Sequence, residues 1–259
     1  MQTSENIKQY WDLFWTNRTE IGSQNDHLFQ ELSSCAITRF LKPNYITLNV
    51  GCGDGYAFNK YCEIVKKMIG MDYSQKAIDK ANDNHKTLVQ QGKAEFFIGD
   101  LLEVQNNFIN KFDAVISERC LCNLDSEDKQ KRALTLIGDY LKPDGIAIIC
   151  EPSLQGYDSI DQIRSEFGLE PIKRHWHNLL VNEGIFSEIE TLKVEERYTF
   201  GVYTLLSRLF YPIYIFPQEP KFDSDINKIS AILCEKIMTK KGFKDIPSQH
   251  VLYILRRAK

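Results

Sequence analysis

A strand-like run that ends in three alternating glycines narrows the folds open to this chain more than any other feature. Residues 46–50 are β-branched or aliphatic apart from one asparagine, and Gly51, Gly53 and Gly55 follow at once. Such a run predicts a buried strand, and the pattern after it predicts a helix. Glycine adopts φ > 0 and lets a ligand approach main chain that a Cβ would block. A strand, a tight turn and a helix start together form a nucleotide-sized site at the carboxyl end of a parallel sheet.

The spacing of the glycines separates two classes of nucleotide-binding fold. Dinucleotide folds use G-x-G-x-x-G, in which the third glycine permits close helix packing around a pyrophosphate. Here the order is G-x-G-x-G, and Tyr56 stands where the last glycine of that motif would be. The spacing disfavours an NAD(P)-dependent oxidoreductase, which remains the alternative enzyme class.

Two acidic residues follow the next two predicted strands. Residues 67–71 form a short apolar run that ends in Asp72, and residues 94–98 form another that leads to Asp100. A carboxylate at the tip of the second strand suits a ribose, because it accepts both hydroxyl protons. Taken alone, each acid is equally well explained as a helix cap or a strand terminus. The acids therefore support a nucleoside ligand without identifying it.

The order of the predicted strands, the glycine loop and the two acids over residues 46–150 resembles that of the class I S-adenosylmethionine-dependent methyltransferases. A fourth predicted strand, residues 112–117, ends at Glu118, and the sequence LKPDG at residues 141–145 precedes a fifth at residues 146–150. That turn is frequent in these enzymes just before strand five. The resemblance implies a Rossmann-like α/β fold, with a seven-stranded mixed sheet between helices. It places strand six at residues 185–194 and an antiparallel strand seven at residues 249–255.

S-adenosyl-L-methionine is the cofactor that the resemblance implies. Asp100 would accept the adenine amino proton, the backbone amide of Leu101 would meet the ring, and Tyr73 would pack on the adenine face. The aromatic N-terminal segment suits a helix over the cofactor mouth, although its rings are equally well explained by packing on the sheet. The predicted cofactor site comprises Gly51, Cys52, Gly53, Gly55, Asp72, Tyr73, Asp100, Leu101, Glu118, Tyr10 and Trp11.

The whole chain, residues 1–259, is expected to form a single methyltransferase domain. Alternating strands and helices from residue 43 to 151 predict the cofactor-binding core. Residues 1–42 are expected to form a helical lid, and residues 152–184 and 197–241 to form substrate-side insertions or, alternatively, the surface of a homodimer. The predicted helices are 5–16, 27–41, 55–64, 75–91 and 127–141.

Two side chains are candidates for the chemistry. Methyl transfer mainly needs an aligned nucleophile in a dry site, and a hydroxyl acceptor benefits from a general base. His177 is a candidate base, because histidine titrates near neutral pH. Glu118, just past strand four, is expected to face the methyl donor. The structural alternatives are a packed histidine and a Glu118–Arg119 ion pair.

Several arginines fall on predicted substrate-side segments, which raises the question of whether the methyl acceptor is negatively charged. A group of guanidinium ions recognises phosphate or carboxylate bidentately. The stretch at residues 176–179 resembles a bacterial subgroup that modifies small molecules or capsular polysaccharides, so a phosphate or phosphoramidate oxygen is a candidate acceptor beside a sugar hydroxyl. The predicted substrate-binding residues are Arg119, Arg164, Arg174, His175, Trp176 and Asn178, and Arg197 lies on a similar segment.

Charge and composition exclude other classes. The net charge of −3 provides no general attraction for nucleic acid or an anionic membrane. No pair among the seven cysteines has zinc-type spacing, so no metal site is expected. The sequence shows neither a signal-peptide pattern nor an apolar run of roughly 18 residues, which predicts a cytoplasmic protein. We therefore expect an O-methyltransferase acting on a small molecule or glycan precursor, with a non-catalytic cofactor-binding scaffold as the third alternative.

Overall fold

A computed structural model describes residues 3–243 and 245–258 of the chain. In this part of the chain, seven strands form one sheet in the order β3-β2-β1-β4-β5-β7-β6. The strands are β1 (Ile46–Val50), β2 (Lys67–Asp72), β3 (Ala94–Ile98), β4 (Phe112–Glu118), β5 (Leu141–Pro152), β6 (Leu192–Thr199) and β7 (His250–Arg257). The helices are α1 (Ser4–Asn17), α2 (His27–Thr38), α3 (Phe58–Cys62), α4 (Gln75–Asn84), α5 (Lys86–Gln90), α6 (Glu127–Tyr140), α7 (Leu154–Glu166), α8 (Gly201–Leu205), α9 (Tyr211–Ile215) and α10 (Asp225–Ile237).

The predicted fold class is confirmed. Strands β1 to β5 are parallel to one another, whereas β7 is antiparallel to both β5 and β6. Buried side chains from the two faces of the sheet form two separate hydrophobic clusters, one of which packs against α2, α3 and α10 and the other against α6. Because both faces are covered, the central strands are apolar almost throughout, as expected for a parallel sheet.

The position of strand six was predicted wrongly. The segment predicted as residues 185–194 begins instead with a 3-10 helix at Glu183–Ser187, and β6 occupies Leu192–Thr199. The side chain of Asn182 accepts a hydrogen bond from the Gly184 amide at the start of this helical turn. Ile185 and Phe186 are therefore buried residues of a helical turn. Because both are apolar, the sequence pattern predicted them to be part of a strand. The insertion predicted at residues 197–241 accordingly lies between Thr199 and His250.

The single helix predicted over residues 75–91 is divided at His85. The backbone of His85 has φ −119° and ψ 26°, which ends α4 and precedes α5. Its ring is buried, lies against the position that a Cβ of Gly55 would occupy, and has its Nδ1 3.2 Å from the Asn59 side chain. Packing against the glycine loop therefore overrides the local helical pattern.

The carboxyl ends of β1 to β5 meet at one edge of the sheet, where the glycine loop and the acids that follow β2 and β3 lie. Helix α1, the segment from α7 to residue 184, and the segment between β6 and β7 contribute residues to the cavities at this edge. No helix in the described part of the chain is long and apolar enough to cross a membrane.

Candidate functional site

The glycine loop after β1 forms the floor of a cavity of about 150 Å³, called here the first cavity. Gly51, Gly53 and Gly55 have φ values of +64°, +55° and +77°, in the left-handed region that costs other residues about 1–2 kcal/mol. A Cβ on Gly51 would lie 2.5 Å from the Cys120 Sγ atom, and one on Gly53 would lie 2.7 Å from the Trp15 ring. Both the conformation and the close approach therefore require glycine, as the sequence predicts.

Asp72 lies at the end of β2 and lines the first cavity. Its carboxylate accepts hydrogen bonds from the Gly53 amide at 2.9 Å and from the Ser74 amide at 3.0 Å. Burial raises the pKa of Asp72 to about 6, although both backbone hydrogen bonds oppose the shift. Tyr73 lines the same cavity, and its buried hydroxyl has no hydrogen-bond partner among the described residues.

Asp100, the predicted adenine acceptor, lies in the lining with Leu101 and is paired with a lysine. The Lys8 ammonium donates to Asp100 at 2.7 Å and lies 5.5 Å from the centroid of the Tyr73 ring. The hydrogen bond and charge of Asp100 raise the pKa of Lys8. Helix α1 therefore contacts the predicted adenine end of the cavity through this cation, which the sequence did not indicate.

The aromatic residues of α1 divide between two cavities. Trp15 and Trp11 line the first cavity, and the Trp11 Nε1 atom donates to the Asn123 side chain at 3.1 Å. Tyr10 was predicted as a cofactor contact, but it lines a neighbouring cavity instead. Successive positions on a helix point about 100° apart, so Tyr10 lines the neighbouring cavity alone, whereas Trp11 lines both.

A buried carboxylate holds the turn at residues 118–124, which follows β4. Glu151 is fully buried, and it accepts hydrogen bonds from the Ser117 hydroxyl and from the Cys120, Leu121 and Cys122 amides. Burial raises the pKa of Glu151, and these donors oppose the shift. Sequence reasoning assigned no role to Glu151, because its importance depends on pairing between β5 and the end of β4.

Glu118 faces the first cavity and not its neighbour. Its carboxylate accepts a hydrogen bond from Ser33 and another from Tyr61 at 3.5 Å. Burial raises the pKa of Glu118, while Ser33 and the Arg119 charge lower it in part. The expected alternative, a simple ion pair with Arg119, is not present among the described residues.

A second cavity of about 270 Å³ adjoins the first. It lies between α1, α2, the 118–124 turn, the segment after α7, and the segment between β6 and β7. Five residues line both cavities and form a shared wall: Trp11, Ser23, Gln24, Arg119 and Asn123. A group bound in the first cavity at this wall therefore faces a group bound in the second.

His177, the candidate base, is buried in the wall of the second cavity. Its ring stacks on Tyr10 with centroids 4.3 Å apart and an interplanar angle of 25°. Burial, followed by the neighbouring His175 and Arg119, lowers the pKa of His177 to about 4. The buried Nδ1 atom has no hydrogen-bond partner among the described residues. His175 and Asn178 line the same cavity, whereas Trp176 is 54% exposed and does not.

The structure distinguishes among the predicted arginines. Arg119 lines both cavities, and its backbone has φ +53°. Arg164 donates to the carbonyl oxygens of Glu170 and Arg208, and Arg174 pairs with Asp158 at 2.7 Å; neither lines the second cavity. Arg197, on β6, pairs with Glu183 in the 3-10 helix that precedes this strand, also away from the second cavity. Of these four positions, the tertiary structure brings Arg119 to the site.

Sequence reasoning missed a buried polar cluster in the second cavity. Asp26, the N-cap of α2, accepts hydrogen bonds from Tyr203 at 2.8 and 3.0 Å and pairs with Arg208. His250, at the start of β7, packs on Phe29 with ring centroids 4.3 Å apart. Burial, Arg119 and Arg208 lower the pKa of His250 to about 3. These residues are far apart in the chain, and no local motif indicates that they meet.

Among the described residues, no group of three or more histidine, cysteine, aspartate or glutamate side chains is arranged to hold a metal ion.

Comparison with known proteins identifies the family and the fold. The sequence profile described as "Methyltransferase domain" matches residues 41–189, more than half of the chain. The structure resembles the [4+2]-cyclase SpnF, with a TM-score of 0.59 and 15% identity over 98% of this chain and 97% of that chain. It also resembles the N-methyltransferase NodS from Bradyrhizobium japonicum in complex with S-adenosyl-L-homocysteine, with a TM-score of 0.57 and 14% identity over 98% and 100% of the two chains. At these identities the likeness establishes the fold. No curated protein matches the chain significantly.

Proposed function

This chain belongs to the methyltransferase-domain family, and from that premise we propose that it transfers a methyl group to an oxygen atom of a small acceptor. The observation that carries the proposal is the wall shared by the two cavities. A methyl donor in the first cavity and an acceptor in the second would meet at Arg119 and Asn123. Holding the two reactants in adjoining sites provides the alignment on which methyl transfer depends.

The predicted cofactor, S-adenosyl-L-methionine, is confirmed by the family assignment. The first cavity fits it: the glycine loop leaves the main chain open, and the buried polar atoms of Tyr73 and Gln30 lack partners among the described residues. Asp72 would hold the ribose and Asp100 the adenine, once Lys8 releases it. When bound, the cofactor supplies an electrophilic methyl group on a sulfonium centre, whose leaving group is a neutral thioether.

His177 acts in this proposal as the general base. With a pKa of about 4 its ring is neutral at physiological pH, and a neutral imidazole carries a nitrogen lone pair that can accept the proton of an acceptor hydroxyl. Stacking on Tyr10 fixes the orientation of the ring. An anion bound beside His177 would raise this pKa, which would make the ring a stronger base in the acceptor complex.

The acceptor oxygen belongs to a hydroxyl group or to an anionic group of the phosphate or phosphoramidate kind, on a small molecule or glycan precursor. An anionic oxygen needs alignment but no base, and Arg119 supplies the charge that would align it. Glu118 is assigned to the cofactor side of the reaction, since it faces the first cavity. Its role there is to position the donor through its place at the end of β4.

The first test of this function is calorimetric titration with S-adenosyl-L-homocysteine and, in parallel, with NADH. We expect binding of the first and not of the second. Binding of NADH alone would revive the oxidoreductase alternative. Binding of S-adenosyl-L-homocysteine without methyl transfer to any acceptor tested would favour the non-catalytic scaffold. No feature of the two cavities supports that alternative.

The base is tested with His177→Gln and, as a matched control, His27→Gln, which is exposed and lines neither cavity. We expect kcat/KM to fall by roughly 10²- to 10⁴-fold in the first variant, the usual contribution of a positioned base, and to stay unchanged in the control. With saturating cofactor, kcat/KM of the natural protein should remain level from pH 8 to pH 5, because His177 is protonated only near pH 4. A fall centred near pH 6.5, or a loss below threefold in His177→Gln, would refute this role.

A further inference from the structure

The apolar lining of the second cavity is almost entirely aromatic. Ten of its lining residues carry phenyl, phenol, indole or imidazole rings, whereas Ile172 contributes its one branched aliphatic side chain among the described residues. Aromatic rings favour planar partners, which they contact by offset stacking or edge-to-face packing. An alkyl chain would instead be matched by leucine, isoleucine and valine. The walls therefore indicate a flat ligand.

Two groups of rings define the surfaces available to such a ligand. Tyr10, His177 and His175 form a stack with interplanar angles of 25° and 21° between successive rings. Phe29 and His250 form a second pair, inclined at 35°, on elements from other parts of the chain. Because the rings come from separate elements and are packed against one another, they form walls that are set before a ligand binds.

The charges in the second cavity are unbalanced. Arg119, Arg208 and Lys173 line it, and the one carboxylate among its described lining residues is Asp26, which already pairs with Arg208. Arg119 forms no ion pair within 4.0 Å with a described residue. Its guanidinium group donates to the neutral Ser23 hydroxyl at 2.5 Å. Glu118 acts on the Arg119 charge but lies beyond ion-pair distance, and a half-buried cation that no carboxylate pairs directly favours binding of an anion.

The two arginines act on the same part of the cavity. Arg119 donates to Ser23 and Arg208 pairs with Asp26, so both guanidinium groups bind the short segment that enters α2, and both residues line the second cavity with His250. Lys173 is exposed and lines the same cavity. An anionic substituent beside His250 would therefore meet Arg119 on one element and Arg208 on another.

We propose that the acceptor is a planar aromatic or heteroaromatic acid, whose ring packs among Tyr10, Phe14 and His177 and whose anionic group is bound by Arg119 and Arg208. This inference rests on the proposed function and narrows its acceptor class. The acceptor hydroxyl oxygen forms a bond to the methyl carbon, the carbon–sulfur bond breaks with its electron pair on sulfur, and the hydroxyl proton passes to His177. The products are a methyl ether that keeps its anionic group, and a neutral thioether.

The test is calorimetric titration of the protein, saturated with S-adenosyl-L-homocysteine, with four kinds of probe. The isomers of hydroxybenzoate carry both the ring and the anion, phenol carries the ring alone, cyclohexanecarboxylate carries the anion without a planar ring, and glucose 1-phosphate represents a glycan precursor. We expect at least one hydroxybenzoate isomer to bind tenfold or more tightly than each of the other three. Tighter binding of glucose 1-phosphate, or no binding of any hydroxybenzoate, would overturn the inference.

Paired variants separate the two components of recognition. Arg119→Gln should remove the preference for hydroxybenzoate over phenol, and Phe14→Leu should reduce the preference for hydroxybenzoate over cyclohexanecarboxylate. Arg256→Gln and Phe167→Leu are the matched controls. They make the same substitutions as Arg119→Gln and Phe14→Leu, but at positions outside both cavities. Lys173→Gln, at an exposed position that does not endanger folding, should weaken hydroxybenzoate binding severalfold.

The outcomes distinguish this inference from the function on which it rests. If S-adenosyl-L-homocysteine binds and no hydroxybenzoate does, the acceptor class is wrong and the methyltransferase proposal stands. If S-adenosyl-L-homocysteine fails to bind, the same titrations on the protein without it still decide whether the second cavity prefers aromatic acids. Unchanged selectivity in both Arg119→Gln and Lys173→Gln would contradict the assigned anion site.

Discussion

The two cavities are assembled in different ways. The first is lined mainly by residues at the ends of β1, β2, β3 and β4, with α1 and α2 beside them. The second has few strand-end residues and draws on α1, α2, the segment after α7, and the segment between β6 and β7. A regular sheet fixes the first by local backbone geometry, whereas long-range packing fixes the second. One scaffold can therefore keep its cofactor while its acceptor changes, because specificity lies in segments that the sheet does not constrain.

The largest effect on ligand binding is expected when a Cβ is added in the glycine loop, and this change tests how strictly local backbone geometry fixes the first cavity. In Gly51→Ala the new carbon would collide with Cys120, and overpacking of about 1–3 kcal/mol should weaken S-adenosyl-L-homocysteine binding roughly 10- to 100-fold. Gly92→Ala is the control, since Gly92 has φ +70° and no atom within 4 Å of a Cβ. It should lose about 1–2 kcal/mol of stability and keep its affinity. Equal affinity in Gly51→Ala and the natural protein would contradict the comparison.

Glu151→Gln should affect both cavities together, because the 118–124 turn belongs to their shared wall. The variant places an amide group against backbone N–H donors, and each buried donor left unpaired costs about 1–3 kcal/mol of unfolding free energy. We expect a lower Tm and weaker binding of both S-adenosyl-L-homocysteine and hydroxybenzoate. Glu183→Gln, which disrupts an ion pair outside both cavities, should lower Tm and leave both affinities unchanged. Loss of one affinity alone would show that the wall is not shared in function.

Asp72→Asn should affect the first cavity alone. Loss of a charged acceptor for the ribose should weaken S-adenosyl-L-homocysteine binding by about 1–3 kcal/mol at pH 8. In the natural protein this affinity should fall as pH decreases through about 6, where Asp72 takes up a proton, and the variant should show no such dependence. Calorimetry from pH 5 to pH 8 measures both.

The stability of the cofactor-free protein should follow the opposite direction. Because the folded pKa of about 6 lies above the ordinary value of 3.8, this group favours folding most below pH 3.8, and its contribution is lost as pH rises through 6. The difference in unfolding free energy between the natural protein and Asp72→Asn should show that trend. A difference independent of pH would contradict the assigned titration.

The smallest effect is expected where α1 meets the first cavity. The Lys8–Asp100 pair is partly exposed and contributes about 0–1 kcal/mol, so Lys8→Met should raise S-adenosyl-L-homocysteine affinity by no more than about fivefold by freeing Asp100. Lys67→Met removes a comparable exposed pair with Glu95 away from both cavities and should leave the affinity unchanged. Weaker binding in Lys8→Met would show that Lys8 contacts the cofactor instead of competing with it.

The differences between the predicted and the observed structure follow the same division. The strands that carry the glycine loop, Asp72 and Asp100 occur where they were predicted, whereas strand six was displaced because Ile185 and Phe186 are buried from a 3-10 helix. Tyr10, predicted to contact the cofactor, lines the second cavity. The periodicity of apolar residues indicates that a side chain is buried, but it does not indicate which neighbouring residues the side chain packs against.

Sequence alone determined the strands that carry the first cavity, the glycine loop and the acids at the strand ends, since backbone conformation and strand termini depend on residues close together in the chain. Only the tertiary structure decided which charged and aromatic side chains share the second cavity. It selected Arg119 and left Arg164 and Arg174 outside, and it brought Asp26 together with Arg208 and Tyr203. Such encounters depend on how distant segments pack across the edge of the sheet, and no local pattern of residues encodes the partner of each side chain.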